Sequence, residues 1–213
     1  MSIDSKSNDR NNKRLVVGCG ALVYDLTRLI KQNHSLSEKI ELQCLPAGWH
    51  NKPQLIAPGV DKLLSERAHH YKDVFIAYAD CGTGGLLDSV IEKYGAKRIE
   101  GSHCYEFFAG KDLFCELSEQ ELGTFYLTDY LVKNFQKLII QGMGLDKNPE
   151  LFAVYFSNYN KLVYLAQTEN DKWQKDAHKY AEDFGFSYEY IYVGTSGLDK
   201  VFNGIELDTI GTK

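Results

Sequence analysis

No stretch of the sequence approaches the roughly 18 apolar residues needed to cross a bilayer, so no membrane span is expected. There is no basic block either, and the formal net charge is −5. A nucleic-acid backbone calls for a basic stripe, so nucleic acid is excluded and a small molecule or another protein is the expected partner. The opening residues MSIDSKSNDRNN are polar with no apolar segment behind them, which reads as a disordered tail over 1–13 and not as a leader. These absences together describe a soluble, cytoplasmic protein. No Cys-x-x-Cys pair occurs among the five cysteines, and their odd number argues for reduced thiols over a disulfide framework. Internal repeats and low-complexity linkers are absent as well.

What is present is a core-forming composition, 44% hydrophobic and 25% charged over 213 residues. Short apolar runs alternate with helix-period segments. Strands are expected at 14–19, 39–45, 73–80, 97–101, 161–168 and 187–194, with helices over 21–32, 53–71, 84–95, 123–142, 146–159 and 170–186, the last with Asn170 as cap and Gly185 as stop. Pro58-Gly59 is expected to break or kink the second helix. The alternation predicts βαβ units with right-handed crossovers. The expected fold is a single α/β domain over 14–213, a doubly wound and mainly parallel sheet with a helical insertion at about 105–158.

That topology has a consequence for chemistry. In open α/β sheets, ligands sit beyond the carboxyl ends of the strands. Cys19 follows the first expected strand, the Leu45-to-His50 loop the second, Cys81 the third, and His103-Cys104 the fourth. Three chemistries fit this convergence. The first is anion binding at the turns G18-C-G20 and C81-GTGG85, where strand gives way to helix; Gly82 and Gly84 are the candidate cofactor-binding glycines, with Asn158 and Gln167 able to reach a ligand. Neither turn completes a Gly-x-Gly-x-x-Gly or P-loop pattern.

The second chemistry is a metal. Cys19, Cys81, His103 and Cys104 offer thiolates and an imidazole suited to zinc, with His50 or Glu106 as a further donor. Cys19, Cys81 and Cys104 alone would suit an iron–sulfur cluster with one open iron. The third is a nucleophilic thiolate at Cys81 or Cys104, with His103 or His50 as base. Asp80 reads either as a hydrogen-bond partner of a ligand histidine or as a cap for the next helix. Cys44 and Cys115 read as buried thiols without chemistry.

The blocks L45-PAGWHNKP53, Y78-ADCGTGGLLD88, G101-SHCYEFFAG110, G123-TFYLTDYL131 and Y155-FSNYNKLVYLAQT168 resemble those of a bacterial and archaeal domain-of-unknown-function family. The resemblance covers about residues 14–200. It implies that Cys19, His50, Cys81, His103 and Cys104 occupy motif positions, and that the chain works beside corrinoid-dependent methyltransferase systems. Two functions are then expected. One is a metal-dependent enzyme, or accessory enzyme, of one-carbon metabolism that handles a methyl group or thiol. The other is a non-catalytic module that binds a small molecule or docks on a corrinoid protein or methyltransferase.

Overall fold

The computed structural model describes residues 10–195 and residue 197. Residues 1–9 of the expected tail lie outside the described residues; residues 10–13 form a turn, closed by the Lys13 N–H on the Arg10 carbonyl at 2.8 Å. The described chain divides into two compact units that meet in sequence between Cys104 and Tyr105.

The first unit carries four parallel strands, β1 (Arg14–Cys19), β2 (Ile40–Leu45), β3 (Asp73–Ala77) and the short β4 (Lys97–Arg98), in the order β2-β1-β3-β4. The crossovers carry α1 (Val23–Gln32), α2 (His34–Ser37), α3 (Ile56–Arg67) and α4 (Leu86–Lys93). β1 is buried along its whole length, and Leu15, Val16 and Val17 have no exposed surface. Each such side chain contributes roughly 1.5–3 kcal/mol by leaving water. At the amino end of the sheet, Arg14 pairs in register with Asp73 and binds its carboxylate with two guanidinium nitrogens, one of them at 2.9 Å. This bidentate contact fixes the register of β1 against β3, and those two strands carry the first and third cysteine loops.

α3 runs through Pro58 and Gly59 without interruption. Pro58 stands in the first turn, where its missing N–H has no partner to lose. Gly59 is required for packing: the Trp49 ring lies where a Cβ would be.

The second unit holds a separate sheet of three parallel strands, β5 (Thr124–Thr128), β6 (Lys161–Ala166) and β7 (Ser187–Tyr192), in that order. Its helices are α5 (Tyr105–Ala109), α6 (Lys111–Gln120), α7 (Asp129–Lys133), α8 (Leu151–Phe156) and α9 (Asp171–Phe184), with a π-helical stretch at Gln136–Gln141. Phe125, Phe152, Phe156, Phe184 and Phe186 form an aromatic core with ring centroids 4.9–6.4 Å apart. α9 is capped as the sequence suggests: Asn170 Oδ1 accepts from the Trp173 N–H at 3.0 Å, and Gly185 ends the helix with φ 74°.

The α/β class and the parallel strands are as expected. The seven strands of the described residues are shared between two sheets, however, where the alternation suggests one continuous sheet. The span read as a helix over 123–142 opens with β5. Its Thr-Phe-Tyr-Leu-Thr stretch is β-branched and aromatic, pairs with β6 from Thr124↔Lys161 to Thr128↔Leu165, and gives way to α7 at Thr128, whose hydroxyl accepts from the Leu131 N–H. The helix expected over 146–159 is confined to α8.

Candidate functional site: a cysteine-lined sheet edge

The order β2-β1-β3-β4 places the first crossover on one side of β1 and the second on the other. The chain therefore reverses direction between β1 and β3, and the carboxyl edge of those two strands is where open α/β sheets take ligands. Cys19 is the last residue of β1, and Cys81 lies four residues beyond β3.

Four loops meet at this edge. The first two are pressed together at Gly20, where a Cβ would stand 2.8 Å from both the Leu45 carbonyl and the Ala47 nitrogen. The glycines of G18-C-G20 are thus explained by close packing, since a Cβ on Gly18 would also meet Leu26 at 2.7 Å. The second loop is the 3₁₀ segment Ala47–Asn51, seated by Trp49 on Gly59 of α3. It carries His50, which is half-buried. Burial, and then the neighbouring His103, push the His50 imidazole down to about 4.

The third loop is organised by Asp80. Its carboxylate accepts from Thr83 Oγ1 at 2.7 Å, from the Gly85 N–H at 2.9 Å and from the Gly84 N–H at 3.1 Å. Burial opposes the charge, but these bonds prevail and hold Asp80 below the usual carboxylate range. Asp80 thereby binds the turn that leads into α4, whose own first residues, Leu86, Leu87 and Asp88, receive none of these bonds. The turn is indeed built to bind an anion, and the anion it binds is its own aspartate. Gly84 thereby serves the loop's fold, and Gly82 (φ 79°), Gly84 (φ 62°) and Gly85 (φ 84°) adopt the left-handed backbone that glycine tolerates.

Cys81 shares that conformation with φ 48°, the one non-glycine residue to do so among the described residues. A strained backbone of this kind persists where the surroundings fix it. Here the fixing groups are visible: the Asp80 N–H donates to the Gly101 carbonyl at 3.1 Å, and the Cys81 N–H to the Ser102 carbonyl at 2.8 Å. The fourth loop is thereby laced to the third. Arg98 secures it further, donating to the Ile99 carbonyl at 2.8 Å and to the Asp88 carboxylate of α4.

This lacing brings two sulfurs together. The Cys104 thiol donates to the Cys81 sulfur and, against burial, holds the Cys81 thiol below its ordinary value; the Cys104 backbone N–H adds to the effect. Donation to Cys81 and burial together hold the Cys104 thiol well above that value. Cys19 stands within electrostatic range of both. Burial raises the Cys19 thiol to about 11, although its sulfur accepts from the Ala21 N–H at 3.4 Å. Chemically, the edge presents one thiolate-prone sulfur, one sulfur that donates to it, and a third nearby.

A family described as a protein of unknown function, DUF1638, matches residues 44–202, about three quarters of the chain. The chain belongs to that family. The matched span takes in His50, Cys81, His103 and Cys104 and begins inside β2, beyond Cys19. No curated protein matches the chain.

Within this DUF1638 chain the expected site residues fall into two groups. Cys19, His50, Cys81, His103 and Cys104 all belong to the first unit, at the carboxyl edge of its sheet. Asn158 and Gln167 belong to the second. Asn158 is exposed; Gln167 is buried, accepting from the Asp129 N–H at 2.8 Å and donating to the Leu165 carbonyl. The Gln167 amide therefore ties β6 to the start of α7. Glu106 stands on α5, also in the second unit. Among the described residues, no three His, Cys, Asp or Glu side chains are grouped closely enough to hold a metal ion as they stand. Of the two cysteines set aside, Cys44 is half-buried beside Cys19, whereas Cys115 is exposed on α6, contrary to the buried reading.

Sequence reasoning missed Tyr78. It lies just beyond β3, only 2% exposed, and its hydroxyl completes no well-formed hydrogen bond, reaching only towards the Cys19 sulfur. The hydroxyl faces the Cys19 thiol, with Cys81 and Cys44 also in range. A hydroxyl at the end of an otherwise apolar strand was the available signal.

Proposed function

We propose that the cysteine edge of the first unit is a soft-metal site, with Cys19, Cys81 and Cys104 as sulfur donors and His103 as a fourth. Zinc is the favoured ion and an iron–sulfur cluster the alternative. The observation that carries the reading is the Cys81–Cys104 contact at the point where the chain reverses between β1 and β3. The Cys104 thiol already donates to the Cys81 sulfur there, and a divalent cation that displaces the thiol protons gains two thiolates. The fit rests on that donor chemistry and on the third sulfur nearby. Zinc supplies a Lewis acid that keeps a bound substrate thiol ionised, the form that accepts a methyl group.

The chain's own residues account for the rest. Asp80 sets the loop that presents Cys81, Arg98 holds the loop that presents Cys104, and His50 stays uncharged beside them at neutral pH. The reaction class we assign is methyl or thiol transfer, and the resemblance of the motifs to companions of corrinoid-dependent methyltransferases supports it. A methyl group delivered to a thiolate leaves its donor with the bonding electron pair, so atoms and charge balance without an oxidant or reductant.

A second reading has its own support. Cys81 as a metal-free nucleophile is favoured by its lowered thiol value at a half-buried loop position. Elemental analysis after anaerobic purification separates the two. About one zinc per colourless chain, lost in Cys81→Ser and in Cys104→Ser, supports the metal. Iron with labile sulfide in a brown protein supports the cluster. Near-zero metal in the wild type sinks both and leaves the nucleophile. Methyl-donor turnover then tests the reaction; recovery of a methyltransferase partner with no turnover favours a docking module.

A further inference from the structure

A buried hydroxyl without a well-formed hydrogen bond is costly, and Tyr78 carries such a hydroxyl, its only approach being to the Cys19 sulfur. Phenylalanine would fill the same core volume. The ring is almost wholly buried, and the hydroxyl faces three sulfurs, that of Cys19 foremost. Cys19 already accepts one hydrogen bond, from the Ala21 N–H at 3.4 Å. A thiol accepts hydrogen bonds weakly and a metal-bound thiolate strongly. The strong acceptor that Tyr78 lacks is thus supplied when a bound cation takes the proton from the sulfur it faces.

We propose that Tyr78 is the positioning residue of the cysteine site: its O–H donates to the Cys19 sulfur in the metal-loaded protein and, with the Ala21 N–H, fixes that sulfur as the third donor. The inference rests on the metal reading given above. Groups that hold a metal ligand from behind in this way typically change metal affinity by about 10–100-fold when removed.

The test uses cobalt(II) as a visible probe on anaerobic, metal-free full-length protein, comparing wild type with Tyr78→Phe. Tyr78→Phe keeps the ring and removes only the donor, so its metal-free thermal midpoint stays at or above that of wild type. Cobalt affinity, read from the sulfur-to-cobalt charge-transfer band, falls about 10–100-fold. The band also moves to lower energy, because a sulfur without its donor gives up charge more readily; a merely structural role leaves the band where it was. A wild type that gives no such band overturns the metal reading itself. A wild type that binds cobalt beside a Tyr78→Phe variant of equal affinity and unchanged band overturns the role of Tyr78 alone.

Discussion

In the metal-free protein, Cys104→Ala slows alkylation of Cys81 at pH 7 by about tenfold or more, while Cys104→Ser keeps most of the wild-type rate. A hydrogen bond to an ionised group is worth about 1.5–3 kcal/mol, and each 1.36 kcal/mol is a tenfold change in ionisation. The Cys104 thiol is the first contributor to the lowered Cys81 value, so removing the donor raises that value and depletes the reactive thiolate. Serine restores a donor in the same place. The sign follows from the direction: Cys81 is depressed, so its contribution to stability is present above the ordinary thiol range and is lost as pH falls through the folded value. Peptide mapping after a short iodoacetamide pulse reads the rate. Exposed Cys115 on α6 serves as the internal control, because it is none of the residues placed in the site. Equal Cys81 rates in wild type and Cys104→Ala would mean that the sulfur contact has no electrostatic consequence.

The second large effect belongs to His50. Its folded value of about 4 lies below the ordinary imidazole value of roughly 6.5, because burial and then His103 disfavour the cation. The unfolded chain therefore takes up a proton between those two values while the folded chain does not. Stability attributable to His50 is complete above about pH 6.5 and is lost as pH falls towards 4, by up to about 3 kcal/mol. Many carboxylates also titrate on the acid side, so the discriminating quantity is a difference. Urea unfolding of metal-free wild type and His50→Gln, each at pH 7 and pH 4.5, gives it. Wild type loses about 2–3 kcal/mol more than the variant over that interval. Parallel losses in the two proteins contradict a His50 that the fold holds uncharged.

Both expectations depend on groupings that are partly visible in sequence. Cys19, Cys81 and Cys104 fall at the ends of strands that alternate with helices, and parallel topology alone brings such ends to one edge. The burial of β1 is legible in the unbroken Leu-Val-Val run, and the caps at Asn170 and Gly185 are legible because capping is local. Pairing partners are not local, which is why the separate sheet of β5, β6 and β7 escapes the pattern. β5 is hidden for a further reason: its apolar residues run without a break into α7, so only the Thr128-Asp129 cap marks the boundary.

Within the site, the glycine turn invites an anion-binding reading, and the structure shows that reading to be physically sound but internally satisfied by Asp80. The sequence could not say which anion was meant. The Cys104-to-Cys81 hydrogen bond rests on the 80–81 backbone being laced to 101–102, a contact between residues some twenty positions apart. Tyr78 is the other residue that pattern reading passes over, since a tyrosine in an apolar run reads as core until its hydroxyl is found without a well-formed hydrogen bond.

The central claim is that the sulfurs of Cys19, Cys81 and Cys104 act as one ligand set. X-ray absorption at the zinc edge, on anaerobic protein loaded with one equivalent of zinc, measures this directly. Three sulfur neighbours at about 2.3 Å with one nitrogen or oxygen are predicted, and the sulfur count falls in the Cys81→Ser variant. A first shell of nitrogen and oxygen alone, or a sulfur count unchanged in Cys81→Ser and Cys104→Ser, would contradict the account.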